Sequence, residues 1–284
     1  MGHTISVRNG PAVLAAQEIA RCHGIAAGEA RVLHDATNVV VHLAPSPLVA
    51  KICRASVGDH RWRKLATEIE IGRHLTRAGA PVVCPSQELP PGPHVQGDFA
   101  MTFWRHQDHD PSAVATGLAA GHALAQIHEA LDRYPEAFPS FLDRQVRRTG
   151  KILFDESAPS PLSTSDRDFL CNQYLDITSE LHDRKLRCRT LHGDPHRGNV
   201  LISKSGYLLI DFESVCSGPL EWDLSALPGQ GAGAFYVDDD LLLLLRRLRS
   251  LCVVVWCWTR ARISTALDRA AWNHMGLLRL AAET

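Results

Sequence analysis

Between Leu191 and Asp223 the chain reads LHGDPHRGNVLISKSGYLLIDFESVCSGPLEWD. Asp194 is followed five residues later by Asn199, and after an apolar run and a turn comes Asp211 inside Ile-Asp-Phe-Glu. A carboxylate can take the proton of a substrate hydroxyl. An amide oxygen and a second carboxylate can hold magnesium, which needs one or two protein oxygens beside water and phosphate. In this order the three groups point to phosphoryl transfer, with Asp194 as the base and Asn199 and Asp211 as metal ligands. Gly193 and Gly198 bracket the loop and would allow the backbone to turn sharply beside a substrate.

The surrounding pattern supplies elements that can position these groups. Residues 199–202 and 207–210 are short apolar runs separated by Ser203-Lys204-Ser205-Gly206, so they are expected to form a hairpin that returns Asp211 towards Asn199. Earlier, residues 12–22 carry apolar groups at helical spacing and run up to Gly24. Residues 30–33, 38–43 and 48–53 read as strands of an antiparallel meander, followed by a helix over 61–77. A helix is expected over 113–131, an exposed loop over the Ser-, Pro- and Asp-rich residues 154–168, and a further helix over 168–184. Asp238, Asp239 and Asp240 precede Leu241-Leu242-Leu243; they could serve as partners for a polycationic acceptor, and more simply suit a helix N-terminus, where carboxylates complement the dipole.

His192-Gly193-Asp194-x-His196-x-x-Asn199, followed by Ile-Asp-Phe-Glu and Gly-Pro-Leu-Glu-Trp-Asp-Leu, resembles the aminoglycoside phosphotransferase and choline kinase-like superfamily, small-molecule kinases of the protein-kinase-like fold. The resemblance implies an α+β, two-lobe fold: residues 1–103 as a nucleotide-binding lobe with a small antiparallel sheet, and residues 104–284 as a mostly helical catalytic and substrate-binding lobe. Asp194 would be the catalytic base, with Asn199 and Asp211 on Mg2+. Lys51, in Val-Ala-Lys-Ile, would contact the nucleotide phosphates, held by Glu68, with Glu70 as the close competitor. The turn at His34-Asp35-Ala36-Thr37-Asn38 has no glycine, and Thr37 and Asn38 would stand in for the family's Ser-x-Asn at the phosphates. Residues 99–104 would form the strand and hinge that receive the adenine. By the same likeness Asp223 would brace the catalytic loop from behind, Trp222 would pack, His192 would shape the loop, and His128 would be a buried structural residue.

The reaction so implied moves the γ-phosphoryl group of ATP, or GTP, to a hydroxyl of a small molecule, such as an aminoglycoside or another antibiotic. A catalytically silent nucleotide- or small-molecule-binding protein is the competing reading, supported by the glycine-free turn. A protein substrate is disfavoured, because His-Gly-Asp replaces His-Arg-Asp and no Asp-Phe-Gly or Ala-Pro-Glu follows.

Composition sets the outer bounds. The chain has 284 residues, 45% hydrophobic and 21% charged, which suits a globular enzyme with substantial cores. A net charge of -1 provides no field that would select nucleic acid or an anionic membrane. Eight cysteines without a Cys-x2-Cys pair are expected to be reduced thiols in a cytoplasmic protein. Residues 251–258 are too short an apolar run to span a bilayer, and the first residues lack the pattern of a secretion signal. Met1-Gly2-His3-Thr4-Ile5-Ser6 fits an N-myristoylation pattern formally and is taken as chance. Acidic and basic residues balance from Cys216 to Thr284, so a neutral or apolar hydroxylated acceptor is as compatible as a polycationic one.

Overall fold

A computed structural model describes residues 9–35, 38–53, 59–110, 112–113, 118–155, 157, 162–204, 206–227, 231–259 and 265–283. The chain divides into two compact units, neither continuous in sequence. The first comprises Met1–Ala115, Ala123–Tyr134 and Gly198–Glu213; the second comprises Thr116–His122, Pro135–Arg197 and Ser214–Thr284. The N-myristoylation pattern at residues 1–6 and the turn residue Ser205 lie outside the described residues.

The first unit is organised by a five-stranded antiparallel sheet, β1 (Glu29–Asp35), β2 (Asn38–Ala44), β3 (Leu48–Cys53), β4 (His94–Gln96) and β5 (Phe99–Arg105), in the order β1-β2-β3-β5-β4. Because side chains alternate across a strand, the central strand β3 sends Leu48, Ala50 and Ile52 to one face and Val49, Lys51 and Cys53 to the other. The first face is covered by α1 (Gly10–Cys22), whose Ala12, Val13, Ala16 and Ile19 pack with Val41, Ile52 and Phe103. Pro11 lies in the first turn of that helix, where no backbone donor is lost, and Gly24 at φ 73° closes its end. On the second face, Val49 and Trp104 pack with Ile69 of α2 (Asp59–Arg77) and with Leu201, Leu208 and Ile210. A Cβ on Gly72 would meet the Trp104 ring at 2.9 Å, so the absence of a side chain lets α2 sit directly on that ring. Leu201 and Leu208 belong to the hairpin of β7 (Val200–Ser203) and β8 (Gly206–Leu209), paired antiparallel with Val200 opposite Leu209.

In the second unit, α4 (Gln145–Leu153), α5 (Thr164–Asp183), α7 (Asp239–Trp258) and α8 (Thr265–Ala282) surround two cores. Leu241, Leu244, Leu245, Leu248 and Cys252 of α7 form a buried helical stripe against Ile177, Leu181 and Trp222. Each such leucine stabilises by roughly 1.5–3 kcal/mol relative to exposure. The Asp238 side chain accepts from the Leu241 N–H at 3.0 Å and caps the helix. The 251–258 run is the apolar end of α7, and among the described residues no helix is long and apolar enough to cross a membrane. A short ladder pairs β6 (Cys188–Leu191) with β9 (Cys216–Pro219), and α6 (Leu220–Leu224) follows directly.

One sequence expectation needs correction, and another is described only in part. The expected loop over 154–168 ends earlier, because α5 begins at Thr164. Ser163 caps that helix by accepting from the Asp166 N–H at 3.1 Å, so the Ser-Thr-Ser-Asp run is a helix start and not a polar loop. The helix expected over 113–131 is described as α3 (Leu118–Leu131), with Val114, Ala115, Thr116 and Gly117 outside the described residues.

Candidate active site

Lys51 has its place from strand alternation: β3 directs it to the face covered by α2 and the β7–β8 hairpin. On α2, Glu68 lies in the buried stripe of Leu65, Ile69 and Leu75, whereas Glu70 points to solvent. The Lys51 Nζ is 2.8 Å from Glu68 Oε1, 3.1 Å from Asp211 Oδ1 and 2.7 Å from Glu213 Oε1. Asp211 follows β8 and turns the chain with φ 68°, a conformation few non-glycine residues adopt and one over-represented at functional sites. Asn38, at the start of β2, donates its side-chain amide to Glu213 Oε1 at 3.4 Å.

Three carboxylates around one ammonium leave an excess of negative charge when all are ionised. Burial pushes the Glu68 carboxyl up to about 8; the Lys51 charge opposes this, and Asp211 and Glu213 add to it. Burial also works to lower Lys51, but Asp211, Glu68 and Glu213 overcome it and hold the ammonium well above the usual lysine value. Lys51 is therefore the permanent cation, and the carboxylates are the groups short of positive charge. Two buried acceptor oxygens, Glu68 Oε2 and Asn38 Oδ1, have no hydrogen-bond partner among the described residues. Carboxylate oxygens of Glu68, Asp211 and Glu213 lie within 4.8 Å of one another. An oxygen-only donor set with surplus negative charge fits a hard divalent cation.

The hairpin brings Asn199 and Asp211 to the same end. Asn199 is buried and closes a 3-10 turn before β7, and its carbonyl accepts from the Ile210 N–H at 3.0 Å, one residue before Asp211. Of the residues singled out in sequence, Lys51, Glu68, Asn38, Asn199 and Asp211 therefore all belong to the first unit. Thr37 lies outside the described residues.

Asp194 belongs to the second unit, on the loop that leaves β6. His192 is fully buried, and its Nδ1 accepts from the Asp194 N–H at 3.3 Å. The fully buried Asp223 carboxylate of α6 accepts from the His192 N–H at 2.9 Å and from the Gly193 N–H at 2.8 Å. Gly193 has φ 90°, and a Cβ there would overlap the Ser214 carbonyl oxygen. The Asp194 carboxylate is 32% exposed, with Oδ1 at 3.3 Å from an Arg249 nitrogen and Oδ2 at 3.8 Å from His196 Nε2. It is thus a partly exposed carboxylate on a held backbone.

Sequence reasoning missed Glu213 and Arg249. Glu213 was visible as the last residue of Ile-Asp-Phe-Glu, two positions after Asp211. Arg249 carried a weaker signal: it falls one helical turn from Leu245 and Cys252, on the apolar side of a helix whose Arg246 is exposed.

Comparison with known proteins follows the same lines. A family model described as "Phosphotransferase enzyme family" matches residues 29–263. No curated protein matches the sequence significantly. Among solved structures, an amicoumacin kinase in complex with AMP-PNP, Ca2+ and Ami aligns over 96% of both chains at 14% identity with a TM-score of 0.66. A choline/ethanolamine kinase family protein from Mesorhizobium loti aligns over 96% of this chain and 94% of its own at 17% identity and a TM-score of 0.65. A microcompartment-associated aminopropanol kinase aligns over 93% and 94% at 15% identity and a TM-score of 0.69. At these identities the likeness establishes the fold, which is the α+β, protein-kinase-like one.

Proposed function

This chain belongs to the phosphotransferase enzyme family, and from that premise we propose that it transfers the γ-phosphoryl group of ATP, or GTP, to a hydroxyl of a small molecule. The observation that carries the reading is the Lys51 ammonium held by a strand, a helix and a hairpin among Glu68, Asp211 and Glu213. A packing role would not gather three carboxylates around one lysine, because desolvating them costs more than an apolar substitute would. Phosphate oxygens and a divalent cation together match that distribution of charge.

The residues then have distinct tasks. Lys51 offers a fixed point charge to the phosphates, and Glu68, which is deeply buried, sets its position. Asp211, Glu213 and Asn199 are the groups that would hold Mg2+, which when bound neutralises charge on the phosphate oxygens. Asn38, and Thr37 with it, would meet the phosphates from the β1–β2 turn. Asp194 orients the acceptor hydroxyl and takes its proton, from a loop braced by Asp223. For the acceptor, the neighbours' names point to amines that carry a hydroxyl and to antibiotics. The eight cysteines, none of them in a disulfide, support a reducing, cytoplasmic setting.

The test is nucleotide consumption by the purified chain across amino alcohols, choline, sugars and antibiotics, with product mass measured. A product heavier by one phosphoryl group supports the reading. Nucleotide binding with no transfer to any acceptor or to water favours instead the silent binding protein, for which the glycine-free turn at His34 to Asn38 is the specific support.

A further inference from the structure

Arg249 is a buried guanidinium on the apolar stripe of α7, flanked by Leu245, Leu248 and Cys252. A charge in such a place is costly unless its donors are matched. Here the fork is met along its whole edge. Nε donates to Ser225 Oγ at 3.2 Å. Nη1 donates to the Gly193 carbonyl at 3.1 Å, to Asp194 Oδ1 at 3.3 Å and to Gln145 Oε1 at 3.3 Å. Nη2 donates to the same Gly193 carbonyl at 3.1 Å and to the Trp222 carbonyl at 2.8 Å. The guanidinium carbon lies 3.6 Å from the centre of the Trp222 ring, a stacked arrangement that a lysine cannot reproduce.

These contacts involve groups of the loop other than the two N–H groups bound by Asp223. Asp223 takes the N–H groups of His192 and Gly193, while Arg249 takes the Gly193 carbonyl and one oxygen of the Asp194 carboxylate. Gly193, the residue immediately before Asp194, is thereby held at both its N–H and its carbonyl, and the torsion of the Asp194 carboxylate is restrained. We propose that Arg249 is a positioning residue for phosphoryl transfer, acting through Asp194 by locking its backbone and side chain in the orientation that meets the acceptor hydroxyl. This rests on the reading of Asp194 as the base. Misplacement by about 1 Å can cost on the order of 10²-fold in rate, so a clamp of this kind carries leverage without touching substrate.

The experiment is a kinetic cycle on the full chain with Arg249→Lys, Asp194→Asn and the double variant, scored on an accepted hydroxyl substrate. Lysine keeps the charge but cannot serve the Gly193 and Trp222 carbonyls while reaching Ser225. Arg249→Lys should lower kcat by roughly 10- to 10²-fold and leave the nucleotide KM within about twofold. In the Asp194→Asn background the same change should lower the residual turnover by less than about twofold, because the residue it acts through is already lost. An unchanged kcat, or the same loss in both backgrounds, overturns the proposal, the latter being what a general weakening of the fold produces. If Asp194→Asn alone keeps full turnover, the base reading fails first and the clamp falls with it, a result distinct from failure of the Arg249 step. Should Arg249→Lys not fold, Gln145→Met releases one partner of the same guanidinium nitrogen and should lower kcat by about twofold or more at unchanged nucleotide KM. Parent-level kcat in that variant overturns the proposal.

Discussion

Replacing Asp223 by Asn isolates the brace behind the proposed base. In the parent, two backbone N–H groups converge on one fully buried carboxylate at 2.9 and 2.8 Å. Asparagine has nearly the same shape but only one acceptor oxygen, so one of the two N–H groups must face an NH2. A hydrogen bond to a charged group contributes about 1.5–3 kcal/mol, and an unmatched buried donor costs about 1–3 kcal/mol. The two costs overlap, since both describe the same lost bond, and the weakened second bond adds a little. The expected destabilisation is therefore about 2–4 kcal/mol, or roughly 4–16 °C in Tm at about 2–4 °C per kcal/mol for a chain of this size class. Denaturant titration of parent and variant measures it, with the midpoint moving at constant slope if the native state is otherwise intact. Turnover should fall as well, because His192 and Gly193 lead directly into Asp194. A midpoint change worth less than about 0.5 kcal/mol, the scale of a neutral surface change, would refute the claim that this carboxylate holds the loop.

Other perturbations probe the rest of the site. Asp194→Asn should reduce turnover by roughly 10²-fold or more while nucleotide binding, measured by calorimetry, stays near the parent's. Asp211→Ala should abolish the Mg2+-dependent part of nucleotide stabilisation in a thermal-shift assay; an equal shift in parent and variant would remove it from the ligand set. Lys51→Ala and Glu68→Ala should each lose most transfer and the double variant little more, while Glu70→Ala, on the exposed side of α2, should stay near the parent. For pH, burial raises the folded-state value of Glu68 from 4.5 to about 8, so its protonated form stabilises the fold below the lower value and that contribution drains away as pH climbs to the higher. Metal-free parent protein should accordingly lose stability relative to Glu68→Gln between those two pH values, and a flat difference across denaturation curves would contradict the assignment.

Much of the local structure was legible in the sequence, the Ser163 cap of α5 excepted. The apolar runs on either side of Ser203 to Gly206 specify a hairpin because two short β-forming segments with a turn-rich link have few other ways to pair, and β7 and β8 form it. The meander of β1, β2 and β3 follows from short apolar runs bounded by turn residues, and the helix over Asp59–Arg77 is expected from residue 61 onward. In the sequence only the family resemblance favours Glu68 over Glu70, and it is the structure that separates them, burying Glu68 beside Leu65 and Leu75 and exposing Glu70. By contrast, the three-residue β4 and four-residue β9 had too little sequence to show a period, and they exist because β5 and β6 offer them partners. Alternation states that Lys51 and Ile52 point to opposite faces, yet it does not say which face receives a helix with a glutamate and which receives α1. That choice depends on the packing of both faces together. Glu213, 162 positions beyond Lys51, and Arg249, 55 beyond Asp194, are joined to their partners only when the cores close. A buried charge is stable only where distant chain segments supply its counter-charges and acceptors, and no local spacing encodes that requirement.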